Sequence, residues 1–431
     1  MMMNTIDSMK AVRDDGVFQP GIVPGLSRMQ ELLALLGSPE QKLPIVHVAG
    51  TNGKGSTCMM LASILQAAKY RVGRYLSDAV VSIAVNDVPI EEKAYQAYQE
   101  KIATLALSMQ DRPTQFESKT AIAFQYFADQ SVDLVILETG MGGLLDATNV
   151  VHPILSIVTN VTEDHQDWLG DTLAEIARHK AGILKPQVPC VTAAKGEALA
   201  VLTQVALQKN CALKVFAEHF RIVKERSSRI DQGQRVSYFG LRNDLLGLDV
   251  ALLGEHQLEN VAVTLAGIEC LCERGYGIDA AAIRHGLQCV RFPYRLDVLA
   301  KNPLILADGA HNKASAASLA LSLRQVHIHR YILILAIMRD KAVVDVVNAL
   351  AVPASLVIVT TIEDNERALS TQTLHEIVAQ RCLNHEVAQA KDRVQALSYA
   401  LERFAQNPEA YDAILLAGSF YLLQGIEALL G

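Results

Sequence analysis

The stretch His47-Val48-Ala49-Gly50-Thr51-Asn52-Gly53-Lys54-Gly55-Ser56-Thr57 follows an apolar segment, Leu43 to Val48, and opens a helix-like run from Cys58 to Lys69. An apolar strand, a glycine-rich turn and a helix together make a cradle for phosphate. Glycine lets backbone N–H groups approach phosphate oxygens with no Cβ in the way, and the helix start adds partial positive charge. Lys54 supplies a full charge for the β- and γ-phosphates, and Ser56 or Thr57 a hydroxyl for phosphate or Mg²⁺. Gly50, Thr51, Asn52, Gly53, Lys54, Gly55, Ser56 and Thr57 therefore read as a phosphate-binding loop rather than a glycine turn that binds nothing.

Around this loop the bulk properties set bounds. A chain of 431 residues is too long for one core and suggests two or three domains. Half of it is hydrophobic, enough to fill them. The net charge is −7 and no lysine or arginine block stands out, so electrostatics give no basis for nucleic-acid binding. No apolar run reaches the roughly 18 residues needed to span a bilayer, and Met1 to Asp15 lacks the apolar centre of a signal peptide. A cytoplasmic monomer that uses no membrane is expected. The seven cysteines, Cys58, Cys190, Cys211, Cys270, Cys272, Cys289 and Cys382, are scattered and mostly embedded in apolar stretches, which suits buried free thiols. Cys270-Leu271-Cys272 lies mid-helix with no second pair, so it reads as structural rather than metal-binding.

The pattern along the chain is α/β. From Leu43 to Val191, short β-branched runs such as Val132 to Leu137 and Ile154 to Thr159 alternate with helical spacing at Ala94 to Leu107, Ser118 to Asp129 and Thr172 to His179. Such alternation predicts a parallel sheet covered by helices on both faces. Arg221 to Gly254 changes to the polar and apolar alternation of hairpins, and His256 to Arg274 and Ala280 to Cys289 return to helix. After Phe292-Pro293 a second series begins, with strands at Leu304 to Ala307, Tyr331 to Ile337, Leu356 to Thr360 and Ala413 to Ala417 and helices such as Ala314 to Arg324 and Val394 to Phe404. The expected organisation is a P-loop-type parallel-sheet ATP-binding domain over residues 1–291, followed by a smaller Rossmann-like α/β domain over 292–431.

In open parallel sheets, ligands gather at the carboxyl ends of strands. Strand Val132 to Leu137 runs into Glu138-Thr139-Gly140-Met141-Gly142-Gly143, and strand Ile154 to Thr159 runs into Asn160 to Asp164-His165. Glu138 and His165 are thus expected behind two adjacent strands, facing the Lys54 loop. A carboxylate and an imidazole beside a triphosphate suggest Mg²⁺ ligation, although alone the first suits a loop cap and the second a structural role. Lys180, in His179-Lys180-Ala181-Gly182, closes a helix. On helix electrostatics alone it is a surface lysine.

The loop departs from the ordinary P-loop. Val48 stands six residues before Lys54, and Gly55 separates the lysine from Ser56. The form Gly-Thr-Asn-Gly-Lys-Gly-Ser resembles the Mur-ligase superfamily and, within it, the folylpolyglutamate synthase/dihydrofolate synthase family. The resemblance extends over nearly the whole chain, through Gly25 to Met29, Leu35 to Pro39, Leu145-Asp146-Ala147-Thr148-Asn149, Asp164 to Gly170, Gly254 to Asn260 and Asp308-Gly309-Ala310-His311-Asn312, with weaker support from Asp340-Lys341 and Gly418 to Tyr421. It implies ATP-dependent amide ligation, in which a pteroate or folate carboxylate attacks the γ-phosphate and glutamate displaces phosphate from the acyl phosphate.

Carried over residue by residue, the resemblance implies that Ser77 and Glu138 hold one Mg²⁺, and that His165 and a carbamylated Lys180 serve a second. It places Asn260, Arg295 and Asp308 on ATP, and His311 near the γ-phosphate or the incoming amino acid, with Lys54, His165, Lys180 and His311 as the catalytic set. Domain closure would then complete the ATP site. The family's Ser-Pro-His-Leu is Ser77-Asp78-Ala79-Val80 here, the loop between Val81 and Pro89 is shortened, Leu144 replaces an arginine, Tyr294-Arg295-Leu296-Asp297 replaces Gly-Arg-Leu-Glu, and Lys313 replaces a proline. These losses concentrate where substrate would lie. Two further readings follow: a diverged paralogue that ligates a different carboxylate, and an ATP-binding protein without ligase activity.

Overall fold

The computed structural model describes residues 17–430 apart from positions 20, 22, 78–80, 164, 231, 232, 364, 366 and 384. Met1 to Asp15, Asp78, Ala79, Val80 and Asp164 of the motifs above lie outside the described residues. The chain divides into two compact units. The first holds the described residues up to Glu225 with Arg235–Val250 and His256–Val290; the second holds Arg226–Gln234, Ala251–Glu255 and the described residues from Arg291 on.

The first unit is built on β1 (Ile45–Ala49), β2 (Val72–Tyr75), β3 (Ile83–Val85), β4 (Val88–Pro89), β5 (Leu134–Glu138), β6 (Leu155–Val158), β7 (Cys190–Thr192) and β8 (Leu213–Val215), paired in the order β4-β3-β2-β5-β1-β6-β7-β8. From β2 to β8 all neighbours run parallel. Every residue of β1, β5 and β6 is buried, as interior parallel strands covered on both faces require. The chain leaves β1 for β2 on one side and later places β6 on the other, so β1 is the point where the winding reverses and a crevice opens at the strand ends. The strands carrying Glu138 and His165 are not adjacent, contrary to expectation. β1 lies between them, with Val48 paired to Glu138 on β5 and Ala49 to Val158 on β6. Both loops still flank the phosphate loop.

The segment expected as a shortened loop is in part a hairpin. β3 and β4 pair antiparallel, with Val85 opposite Val88. The two turn residues, Asn86 and Asp87, both have positive φ (47° and 59°), the geometry of the tight turn that Asn and Asp favour. Arg74 on β2 pins it through Asp87 at 3.3 Å, and the Asn86 side chain accepts the Val72 N–H at 2.8 Å. Three further strands, β9 (Arg221–Arg229), β10 (Gly233–Phe239) and β11 (Asp244–Val250), form a separate sheet.

The second unit carries β12 (Asp297–Lys301), β13 (Leu304–Asp308), β14 (Tyr331–Leu335), β15 (Leu356–Val359), β16 (Glu386–Gln389) and β17 (Ala413–Ala417), in the order β12-β13-β17-β14-β15-β16. Only β12 runs antiparallel to its neighbour. β12 and β16 escape the sequence pattern because they lie at the sheet edges and are only partly buried. Among the described residues no helix is long and apolar enough to cross a membrane. Cys58, Cys190, Cys270 and Cys382 are buried as expected, but Cys272 and Cys289 are exposed.

Candidate active site

The backbone of the phosphate loop is held by Thr159 and Asn160, which follow β6. The Thr51 N–H donates to the Asn160 carbonyl and the Asn52 N–H to the Asn160 side chain, both at 2.9 Å. The Thr159 hydroxyl donates to the Asn52 carbonyl at 2.6 Å. Gly53 takes φ +83° and begins helix Lys54–Ala67, so the helix starts earlier than the apolar pattern indicated. A Cβ at Gly50 would sit 1.9 Å from the Thr159 hydroxyl, and one at Gly53 2.1 Å from the Asn260 side-chain oxygen. Glycine is required at both places by contact as well as by conformation. The Lys54 ammonium bends back onto the Gly50 and Thr51 carbonyls at 3.1 and 3.3 Å.

Behind the loop, Gln257 donates to the Ser56 hydroxyl at 3.1 Å and accepts from Asn260 at 3.0 Å. The fully buried Thr57 hydroxyl oxygen has no partner among the described residues. An open backbone cradle, a resident ammonium and an unsatisfied buried hydroxyl fit a bound polyphosphate.

Glu138 ends β5 as a buried carboxylate and accepts the Ser77 N–H at 3.0 Å. The structure thus brings together the two residues expected around the first Mg²⁺, and both offer hard oxygen donors. Lys119, from helix Gln115–Asp129, donates to the Ser77 carbonyl at 3.4 Å. His165 is exposed, in left-handed conformation, at the start of the short helix Gln166–Leu169. Among the described residues no group of three or more His, Cys, Asp or Glu side chains is placed to hold a metal ion.

Lys180 is no surface lysine. It is 1% exposed on helix Leu173–Ala181, whose C-terminal turn is clasped by the 140–144 loop. The Leu144 N–H donates to the His179 carbonyl at 2.7 Å, and Gly182 leaves no room for a Cβ against the Leu144 backbone. Leu144, standing where the resemblance expects arginine, is 45% exposed.

Beside the Glu138 loop opens a cavity of about 280 Å³. Val23, Phe116, Met141, Leu145 and Trp168 supply apolar wall, and Glu117 and Asp146 supply carboxylates. Arg28 braces the Glu117 carboxylate at 3.1 Å and bonds Asp111 at 3.2 Å. Both Arg28 and Glu117 are buried. Asp146 accepts the Met141 N–H at 2.8 Å and the Thr148 N–H at 3.0 Å. Burial pushes the Asp146 carboxyl up, and these hydrogen bonds act against that. Gly25, Met141, Leu145, Asp146 and Trp168 of this wall lie in motifs the sequence showed, but the spacing did not reveal that these separate segments meet with Val23 and Phe116 around one cavity.

In the second unit, Asp308 ends β13 buried, accepting the Leu296 and Ala310 N–H groups at 2.7 and 2.9 Å. Burial raises its carboxyl above the usual range while the Arg295 charge opposes the rise. The Arg295 guanidinium stands 5.3 Å from the Phe420 ring and the His311 ring 5.9 Å from it, so Arg295, Asp308 and His311 form one cluster.

A family model of the Mur ligase middle domain matches residues 48–268, and one of the Mur ligase glutamate ligase domain matches residues 294–420. The dihydrofolate synthase/folylpolyglutamate synthase of Bacillus subtilis is 38% identical, over 71% of this chain and 73% of its own length. The chain belongs to the folylpolyglutamate synthase/dihydrofolate synthase family of ATP-dependent Mur ligases. The structure of Mycobacterium tuberculosis folylpolyglutamate synthase complexed with ADP and AMPPCP superposes with TM-score 0.83 at 30% identity, over 95% of this chain and 96% of that one. That of E. coli FolC in complex with DHPP and ADP gives 0.82 at 26% identity, over 99% and 98%. The two-domain α/β fold and the ligase reading of the sequence agree with these relatives.

Proposed function

We propose that this chain joins L-glutamate to the carboxylate of a pteroate or folate through an acyl phosphate, with ATP converted to ADP. The observation that carries the proposal is the cavity beside the Glu138 loop. It is mostly apolar and carries two buried carboxylates, Glu117 ion-paired to Arg28 and Asp146 set to meet a ring N–H donor. The E. coli relative was crystallised with DHPP and ADP. Residues 1–291 act as the ATP-binding domain and 292–431 as the ligase domain.

Loop residues Gly50 to Thr57 cradle the polyphosphate, with Lys54 on the β- and γ-phosphates and Asn260 fixing the loop from behind. Ser77 and Glu138 would hold Mg²⁺, and His165 with carbamylated Lys180 a second; bound there, the ions draw charge from the transferring phosphoryl group. Arg295 and Asp308 contact the nucleotide, and His311 lies near the γ-phosphate or the incoming glutamate. Most of the remaining acceleration comes from holding acid and phosphate in line. The enzyme works as a cytoplasmic monomer.

The test supplies ATP, Mg²⁺ and glutamate with dihydropteroate or tetrahydrofolate, follows ADP release and weighs the products. A mass gain of one glutamyl residue on either acid is expected. ADP release with neither acid, but with an unrelated carboxylate, would overturn the folate assignment.

A further inference from the structure

One polar side chain interrupts β1 itself. His47 is fully buried between Val46 and Val48, where an apolar residue would pack at lower cost. Its Nε2 lies 2.9 Å from the Thr148 hydroxyl. That hydroxyl has one proton and donates it to Asp146 Oδ1, 2.5 Å away. Thr148 must then accept from His47, which fixes the imidazole as the Nε2–H tautomer. The other ring nitrogen, Nδ1, is buried with no partner among the described residues. An unsatisfied buried acceptor is costly, so the Nε2–H bond is what this residue type contributes.

The chain His47 to Thr148 to Asp146 runs from the strand that carries the phosphate loop to the cavity wall. Thr148 fills the lone pairs of Asp146 Oδ1 with its N–H and its hydroxyl, so a ligand donor is left with Oδ2, which also accepts the Met141 N–H at 2.8 Å.

We propose that His47 is a positioning residue: acting through Thr148, it holds the Asp146 carboxylate in one orientation, with Oδ2 set to accept an N–H of a nitrogen heterocycle bound in the cavity. This rests on the folate-type reading of the cavity and names the atom that meets the ring.

Trp168, the single tryptophan of the chain, lines the same cavity and reports occupancy directly. Dihydropteroate is titrated into the full-length enzyme while Trp168 fluorescence is followed, and KM values for the acid and for ATP are measured separately. His47→Leu and the isosteric Thr148→Val should weaken dihydropteroate binding and raise its KM by about 10-fold, leaving kcat at saturating acid and KM for ATP within about 2-fold. His47→Gln and Thr148→Ser, which keep the donor and the hydroxyl, should recover most of the affinity. If His47→Leu fails to fold, Thr148→Val carries the test alone. Unchanged binding in Thr148→Val, or an equal rise in both KM values, would overturn the relay while leaving the folate reading intact. Absence of dihydropteroate binding by the unaltered enzyme would overturn that reading and the relay's ligand with it.

Discussion

The phosphate loop and the cavity beside the Glu138 loop lie in the same unit, yet they are made differently. The loop is a contiguous segment whose geometry is held by backbone hydrogen bonds to Asn160 and by two glycines that no side chain could replace. The cavity is assembled from side chains spread from Gly21 to His179. Phosphate is the same in every substrate, so a backbone cradle recognises it without regard to the rest. A ring is distinguished by where its donors and edges lie, and only side chains drawn from several segments can match that. The departures from the family pattern, among them Leu144, the β3–β4 hairpin, Tyr294, Asp297 and Lys313, all lie outside the phosphate loop, which stays intact.

The largest effect expected is on the phosphate side. Lys54 is the only full positive charge the loop itself carries, so Lys54→Ala should cut kcat for ADP release by about 10²-fold or more with any accepted acid. Near-native ADP release would break the distinction at its firmest point.

Lys180→Ala should likewise abolish most turnover, with partial recovery on adding a small carboxylate that occupies the space of the carbamate. An unmodified ammonium at Lys180 in a nucleotide-bound crystal structure would refute the modified-lysine role.

Where the resemblance expects an arginine and a longer loop, Leu144 and the hairpin remove polar anchors worth roughly 1–3 kcal/mol each. One of the two family reactions should consequently be weak, with dihydropteroate and tetrahydrofolate turnover differing by about 10-fold or more. Leu144→Arg should lower KM for the weaker acid without changing KM for ATP. Comparable turnover of both acids by the unaltered enzyme would show the departures to be neutral.

The smallest effect concerns stability. Burial, reinforced by the Lys185 charge, pushes the His47 imidazole down to about 3. A histidine held neutral in the native state binds a proton on unfolding, so its contribution is fully present above about pH 6.5 and is lost as pH falls from there toward 3, at up to about 1.4 kcal/mol per pH unit. His47→Gln should flatten that limb in urea titrations from pH 4 to 7; an unchanged slope would place the acid sensitivity elsewhere.

Much of the architecture was legible because burial on both faces writes a continuous apolar run. β1, β5, β6, β13, β14, β15 and β17 were all visible this way, and helix Ala280–Cys289 was read to its ends. The edge strands β12 and β16 and the short β2, β3, β7 and β8 were not, because brief or half-exposed strands leave too few residues to show a period. The Asn86-Asp87 turn was a missed signal, masked by expecting a loop there.

The sequence by itself determined the phosphate loop, the alternation of strand and helix, and the family, since each depends on residues close together in the chain. Only the tertiary structure decided that β1 separates the strands of Glu138 and His165, that Lys180 is buried, and that His47, Thr148 and Asp146 form one chain of hydrogen bonds. Strand order and side-chain burial are set by packing among distant segments, and spacing along the chain carries no record of which of them meet.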